Sequence, residues 1–153
     1  MENEIILEGN HIVLRPIRLS DCNERYLGWL RNPLINQYLE TRWTEQTIET
    51  IRDFVESKID SNSEFLFAIM ERETIRHIGN IKIGPINSHH QFADVSYFIG
   101  EQSCWGKGYA TEAIRCVTRF GFEKLGLYKV QAGVYGNNIG SIRALEKVGF
   151  VRE

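Results

Sequence analysis

Between residues 64 and 100 the chain passes through three strand-like segments with no room for a helix between them. Residues 64–71 carry Phe65, Leu66, Phe67, Ala68 and Ile69 in an unbroken apolar row. Residues 75–86 follow after a short turn. Ala93, Val95, Tyr97 and Ile99 then alternate with Asp94, Ser96 and Phe98, the period of a strand with two different faces. Parallel neighbours need a crossover of a dozen residues or more, so these three segments are expected to pair as antiparallel hairpin neighbours. In the middle one the apolar phase slips between Ile78 and the pair Ile81 and Ile83, with Gly79 between them, which predicts a bulge.

Helical patterns flank this meander. A first strand, Ile12 to Ile17, is entered through Gly9-Asn10. Ser20-Asp21 offers a cap for a helix with Tyr26, Leu27 and Leu30 on one face, stopped by Asn32-Pro33. Thr44 is the expected N-cap of a second helix, with Trp43 and Ile48 placed as a hydrophobic staple and Ile48, Ile51, Phe54, Val55 and Ile59 as its apolar stripe. The intervening residues 32–43, rich in Asn, Tyr, Arg and Trp, suit a cleft wall or a plain surface loop. Later, Ala110, Ala113, Ile114, Val117, Phe120, Gly121 and Leu125 recur at helical spacing, with Gly126 as C′. A strand over 128–135 and a helix capped by Asn137-Asn138 follow. Phe150-Val151 reads as the start of another strand. One domain, 1–153, is expected, truncated at its C-terminal strand or strands.

Composition narrows the function. Of 153 residues 42% are apolar and 25% charged, which is ordinary for a globular domain, and the net charge of −2 predicts no nucleic-acid partner and no anionic membrane surface. Neither a transmembrane run nor a signal peptide is present, and three scattered cysteines suit a reduced, cytoplasmic setting. The histidines and cysteines show no ligand spacing, so no metal is expected.

The stretch Cys104-Trp105-Gly106-Lys107-Gly108-Tyr109-Ala110-Thr111-Glu112 joins the third meander strand to a helix. Glycines permit positive φ and close backbone approach, and the first turn of a helix presents free N–H groups and the positive end of its dipole. That combination suits a phosphate. It is not a Walker A loop, since Gly108 follows Lys107, nor a Rossmann fingerprint, since the third glycine is missing. By itself it is equally a turn before an ordinary helix.

Set before the tail Asn138-Ile139-Gly140-Ser141-Ile142-Arg143-Ala144-Leu145-Glu146-Lys147-Val148-Gly149-Phe150, this stretch resembles the GCN5-related N-acetyltransferases, in particular the branch with the ribosomal-protein-alanine N-acetyltransferases. The order of elements matches the family along nearly the whole chain. The resemblance implies an α/β (α+β) fold: a mixed, mostly antiparallel sheet flanked by helices, with a V-shaped splay between the strands around 93–100 and 128–135. It implies acetyl-CoA as co-substrate, its pyrophosphate held by backbone N–H groups of Gly106, Lys107, Gly108, Tyr109, Ala110 and Thr111. Trp105 stands where most of the family has Gln or Arg. Asn138 is implied as a side-chain contact to the pantetheine arm, and the backbone of Phe98, Ile99 and Gly100 as a further one.

Acetyl transfer to an amine, whose pKa is about 10 when free, needs a route for its proton, donors for the oxyanion and an acid for the departing thiolate. No covalent intermediate is needed when both substrates are held together, so Cys104 is not a nucleophile. Many family members carry a tyrosine four residues after the position of Ser141, where this chain has Leu145. Ser141 is the substitute donor by resemblance, or else a helix-start residue. Asp94 is the candidate base or a solvated side chain, and His89 and His90 are alternatives in the loop before it. The acceptor is a small-molecule or peptide amine, such as a protein N-terminus, an amino sugar, a polyamine or an aminoglycoside. A non-catalytic acyl-CoA-binding domain and a generic nucleotide-phosphate binder are the other readings. An open edge at 128–135 allows a homodimer.

Overall fold

The computed structural model describes residues 4–153. Six strands form one sheet in sequence order: β1 (Leu7–Glu8), β2 (Ile12–Pro16), β3 (Phe65–Glu71), β4 (Arg76–Ile83), β5 (Phe92–Ile99) and β6 (Lys129–Gln131). β1 to β5 are antiparallel neighbours, which makes the meander of the middle segment as expected, and β6 joins parallel to β5. The expected bulge is present: Ile69 pairs with Gly79 and Met70 with His77, leaving Ile78 over. The one parallel pair is also the one joined through a long helix, α4 (Tyr109–Glu123).

Alternation along the strands divides the interior in two. Ile12, Leu14, Phe67, Ile69, Ile81, Ile83 and Val95 turn to α4 and meet Ala113, Ile114 and Val117. Leu66 and Ala68 turn to the opposite face, where α1 (Glu24–Arg31) and α3 (Ile48–Ile59) bring Tyr26, Leu27, Leu30, Ile51 and Val55. Each large aliphatic so buried contributes about 1.5–3 kcal/mol against exposure. α5 (Ile139–Val148) adds Ala144 and Leu145 to the α4 side.

Two helix starts differ from expectation. Asp21 caps nothing further along, because its carboxylate is drawn to Arg15 at 2.8 and 2.9 Å and to the Arg18 N–H; Asn23 caps α1 instead, accepting from Tyr26 N–H. α3 is capped by Thr47 rather than Thr44, because Thr47 and Thr50 form a reciprocal capping box. Trp43 then lies 72% exposed under the Arg42 guanidinium, and the staple with Ile48 is not made. Between α1 and α3 a short helix α2 (Pro33–Asn36) is entered through Asn32, whose side chain accepts from Leu34 N–H. At the C-terminal end the Phe150 N–H closes α5 by donating to Leu145 C=O at 3.0 Å, and residues 150–153 form no strand. Among the described residues no helix is long and apolar enough to cross a membrane.

Candidate active site

The β5–β6 ladder holds only from Phe92↔Lys129 to Asp94↔Gln131. Beyond it β5 continues to Ile99 while β6 stops, so the two strands part. This is the expected splay, and it shortens β6 from the expected 128–135. Which backbone groups of β5 face the gap follows from its other neighbour. Gly84 N–H donates to Asp94 C=O, and Gly100 N–H to Ile78 C=O. Antiparallel ladders alternate, so Asp94, Ser96, Phe98 and Gly100 spend their backbone groups on β4, while Val95, Tyr97 and Ile99 turn theirs to the gap. Of the three residues expected to offer backbone there, Ile99 is the one that does so. Its carbonyl accepts from the Trp105 indole N–H at 3.0 Å.

The glycine stretch lies at the wide end of the gap. Gly108 is the N-cap of α4 with φ +80°, a left-handed conformation, and no side-chain cap occupies the free N–H groups of the helix's first turn. A Cβ on Gly108 would meet nothing within 4 Å, so the space over those N–H groups is open. The Lys107 ammonium stands 5.9 Å from the Tyr109 ring centroid. Such a start to a helix can hold an anion.

One buried carboxylate fixes both flanks of this loop. Glu71, at the end of β3, accepts from Tyr109 O–H at 2.9 Å and from Thr74 at 2.7 Å, and it receives the Cys104 thiol at 3.7 Å. Arg76 reaches it at 3.5 Å. The hydrogen bonds from Thr74 and then Tyr109 hold the Glu71 carboxyl below its usual range. The same bond, ahead of burial, pushes the Tyr109 hydroxyl up to about 12. Cys104 is thus a buried structural thiol, as its surroundings in the sequence suggested. A second carboxylate, Glu112, accepts the His11 backbone N–H at 2.8 Å and lies 2.7 Å from its ring Nδ1, tying α4 to the β1–β2 turn.

Across the gap from the loop, Asn138 caps α5 by accepting the Ser141 N–H at 3.3 Å. Ser141 is the third residue of the helix, and its hydroxyl accepts from Tyr97 O–H at 2.7 Å. Burial raises the Tyr97 pKa, opposed by the bond to Ser141. Leu145, one turn on, is core. Tyr97 was the residue missed from the sequence. Its signal was a polar tip on the apolar face of β5.

The gap opens into a cleft of about 1370 Å³ that reaches to α1, α2 and α3. Ile35, Gln37, Tyr38 and Leu39 line it, so residues 32–43 do form a cleft wall. Tyr38 O–H bonds Asn137 C=O at 3.3 Å, joining that wall to the start of α5. Gly100 is bare because the Trp29 indole lies against it, and Trp29 Nε1–H donates to Glu101 at 3.1 Å. Trp105, Gly106, Gly108, Tyr109, Ala110, Thr111, Phe98, Ile99, Asn138 and Ser141 all border the cleft. Asp94 does not: it is exposed, in the paired part of β5. His89 and His90 sit in the loop before β5, about 26 Å of strand away from the glycine loop that follows it.

A family model for the acetyltransferase (GNAT) domain matches residues 11–151. The chain belongs to the GNAT acetyltransferase family. It is an N-acetyltransferase, and the family uses acetyl-CoA. YjcK of Bacillus subtilis strain 168, a probable N-acetyltransferase, is 31% identical over 97% of this chain and 84% of its own length. The spermidine N(1)-acetyltransferase of Escherichia coli K12 is 30% identical over 93% and 74%. In fold, a GNAT acetyltransferase structure from Bacillus anthracis superposes with a TM-score of 0.83 at 21% identity, covering 97% of this chain and 85% of that one. Spermidine N-acetyltransferase from Vibrio cholerae, solved with CoA and spermine, gives 0.81 at 23% over 95% and 83%.

Proposed function

We propose that this enzyme moves an acetyl group from acetyl-CoA directly to a primary amine bound in the same cleft, a protein N-terminus or a small-molecule amine such as an amino sugar, in the cytoplasm. The observation that carries the proposal is the Tyr97–Ser141 hydroxyl pair, set at 2.7 Å where the sheet parts. The backbone N–H groups of residues 106–111 hold the pyrophosphate, with Lys107 beside them. The gap-facing groups of Tyr97 and Ile99, and Asn138 at the start of α5, hold the pantetheine arm. The co-substrate supplies the activated acetyl group. Ser141 donates its proton to the leaving sulfur and is resupplied by Tyr97, which regains a proton from solvent before the next turnover and whose raised pKa keeps it protonated at neutral pH. The gap-facing N–H groups of β5 serve as oxyanion donors. Asp94, at the narrow end of the gap, takes part only through water, as the carboxylate that passes the acceptor's proton to solvent.

Spermidine, the substrate named for the Escherichia coli relative, would be one choice of amine. The charges in this cleft speak for a different one, argued below. Calorimetric titration with acetyl-CoA, followed by single-turnover assays against primary amines, tests the proposal. Micromolar binding with transfer is expected. Binding without transfer to any amine would leave a non-catalytic acyl-CoA-binding domain, and no binding would remove the reading altogether.

A further inference from the structure

The cleft has two walls on opposite faces of the sheet. Charged side chains on the α4–α5 wall are Arg143 and Lys147, one helical turn apart on α5. On the α1–α3 wall the only lining charge among the described residues is Lys82. No aspartate or glutamate among the described residues lines either wall. A polyamine acceptor carries several positive charges and is best held by carboxylates, which the described lining residues do not supply.

What the second wall offers is hydrogen-bond donors. Lys82 stands opposite Ser96 in the β4–β5 register, and Ser96 lines the cleft with it. Lys82 is not fully neutralised. Its partner Glu64, 3.1 Å away, is shared with Lys58 at 2.7 Å, which leaves two ammonium groups on one carboxylate. Two residues before Lys82 on the same face is Asn80, 3% exposed. Its Oδ1 is 2.7 Å from His77 Nε2, which also lies 2.8 Å from Gly79 C=O. A nitrogen facing a carbonyl must carry the proton, so Asn80 presents its oxygen to His77 and its NH₂ the other way. That Nδ2 is fully buried. Burial raises the Tyr26 pKa and a hydrogen bond from Asn80 opposes the rise, so the amide is turned to Tyr26, which itself borders the cleft.

We propose that the acceptor is a primary amine that also bears an anionic group, a carboxylate or a phosphate, seated against Lys82 and Ser96; this rests on the acetyltransferase reading above. The cation that anchors the anion also disfavours a second ammonium nearby, which helps present the amine as the neutral nucleophile.

The test is a comparison of kcat/KM for matched acceptors on the intact enzyme: an amino acid against its amide, an amino-sugar phosphate against the free amino sugar, and spermidine. The anion-bearing member of a pair is expected to lead its neutral twin by at least about tenfold, and the pair with the larger gap tells carboxylate from phosphate. Lys82→Gln is expected to raise KM for that member about tenfold and to collapse the preference, and Lys82→Arg to restore it. Spermidine or a neutral twin used as well as the anion-bearing amine would overturn this inference while leaving the transferase intact. Bound acetyl-CoA with no transfer to any of the five, but transfer to a peptide N-terminus lacking a nearby anion, would overturn this inference and leave the transferase intact; no transfer to the peptide either would count against the transferase reading itself.

Discussion

Tyr97 and Ser141 are 44 residues apart, one on a strand and one on a helix, and their hydroxyls meet at 2.7 Å. Leu145, where the family resemblance implies a tyrosine, lies buried one turn from Ser141. In the proposed mechanism the phenol comes from the sheet instead of the helix.

Tyr97→Phe keeps the ring and removes the proton. It is expected to lower kcat by about 10²-fold with acetyl-CoA affinity held within about twofold. Ser141→Ala should do the same. On the proposed relay, the double variant should be no slower than the worse single. Fully additive losses would separate the two residues.

Gly108→Val places a β-branched residue at φ +80° over the first turn of α4. Strain of about 1–2 kcal/mol is expected, together with loss of acetyl-CoA binding in a titration. Asn138→Ala removes the acceptor for Ser141 N–H, costing about 1 kcal/mol and weakening acetyl-CoA. A Gly108→Val enzyme of full activity would take the anion site away from this loop.

Gly100 is the tightest glycine around the cleft. A Cβ there would fall 2.1 Å from Trp29 Cδ2, so Gly100→Ala must displace the indole. About 1–3 kcal/mol of destabilisation is expected by chemical denaturation, along with loss of the Trp29–Glu101 hydrogen bond. A neutral effect on stability would show that α1 moves freely over the sheet.

Stability should fall in acid. Glu71 titrates below its usual 4.5 in the fold because Thr74 and Tyr109 donate to its ionised form. Asp21, Glu64 and Glu112 shift the same way: burial opposes ionisation, but Arg15, the two lysines and His11 outweigh it. The unfolded chain therefore binds more protons, and the stabilisation is present above about pH 4.5 and lost as the pH falls through the lower folded values. Urea unfolding at several pH values between about 6 and 3 should show this, with a flatter dependence in Glu71→Gln. An unchanged slope in that variant would mean that Glu71 is not held ionised.

Much of this was legible in the residues. The meander, the bulge at Ile78, the capping of α5 by Asn138 and the positive φ of Gly108 and Gly126 depend on local chemistry, which a short window contains. The splay and its loop came through the family resemblance. Choices between equivalent neighbours did not come through. Thr44 and Thr47 are both good caps, and only the reciprocal bond with Thr50 decides. β1, at two residues, is shorter than any periodicity can reveal. The pairing of Tyr97 with Ser141, the three donors on Glu71 and the burial of the Asn80 amide all depend on which elements pack together, and sequence spacing carries no distance between them.

The tethering of both ends of the glycine loop to Glu71, through Cys104 on entry and Tyr109 on exit, has a kinetic meaning. A loop already held in its binding shape needs no ordering when its ligand arrives, so little conformational entropy is lost on association. Capture of the co-substrate should then approach the pace of simple encounter.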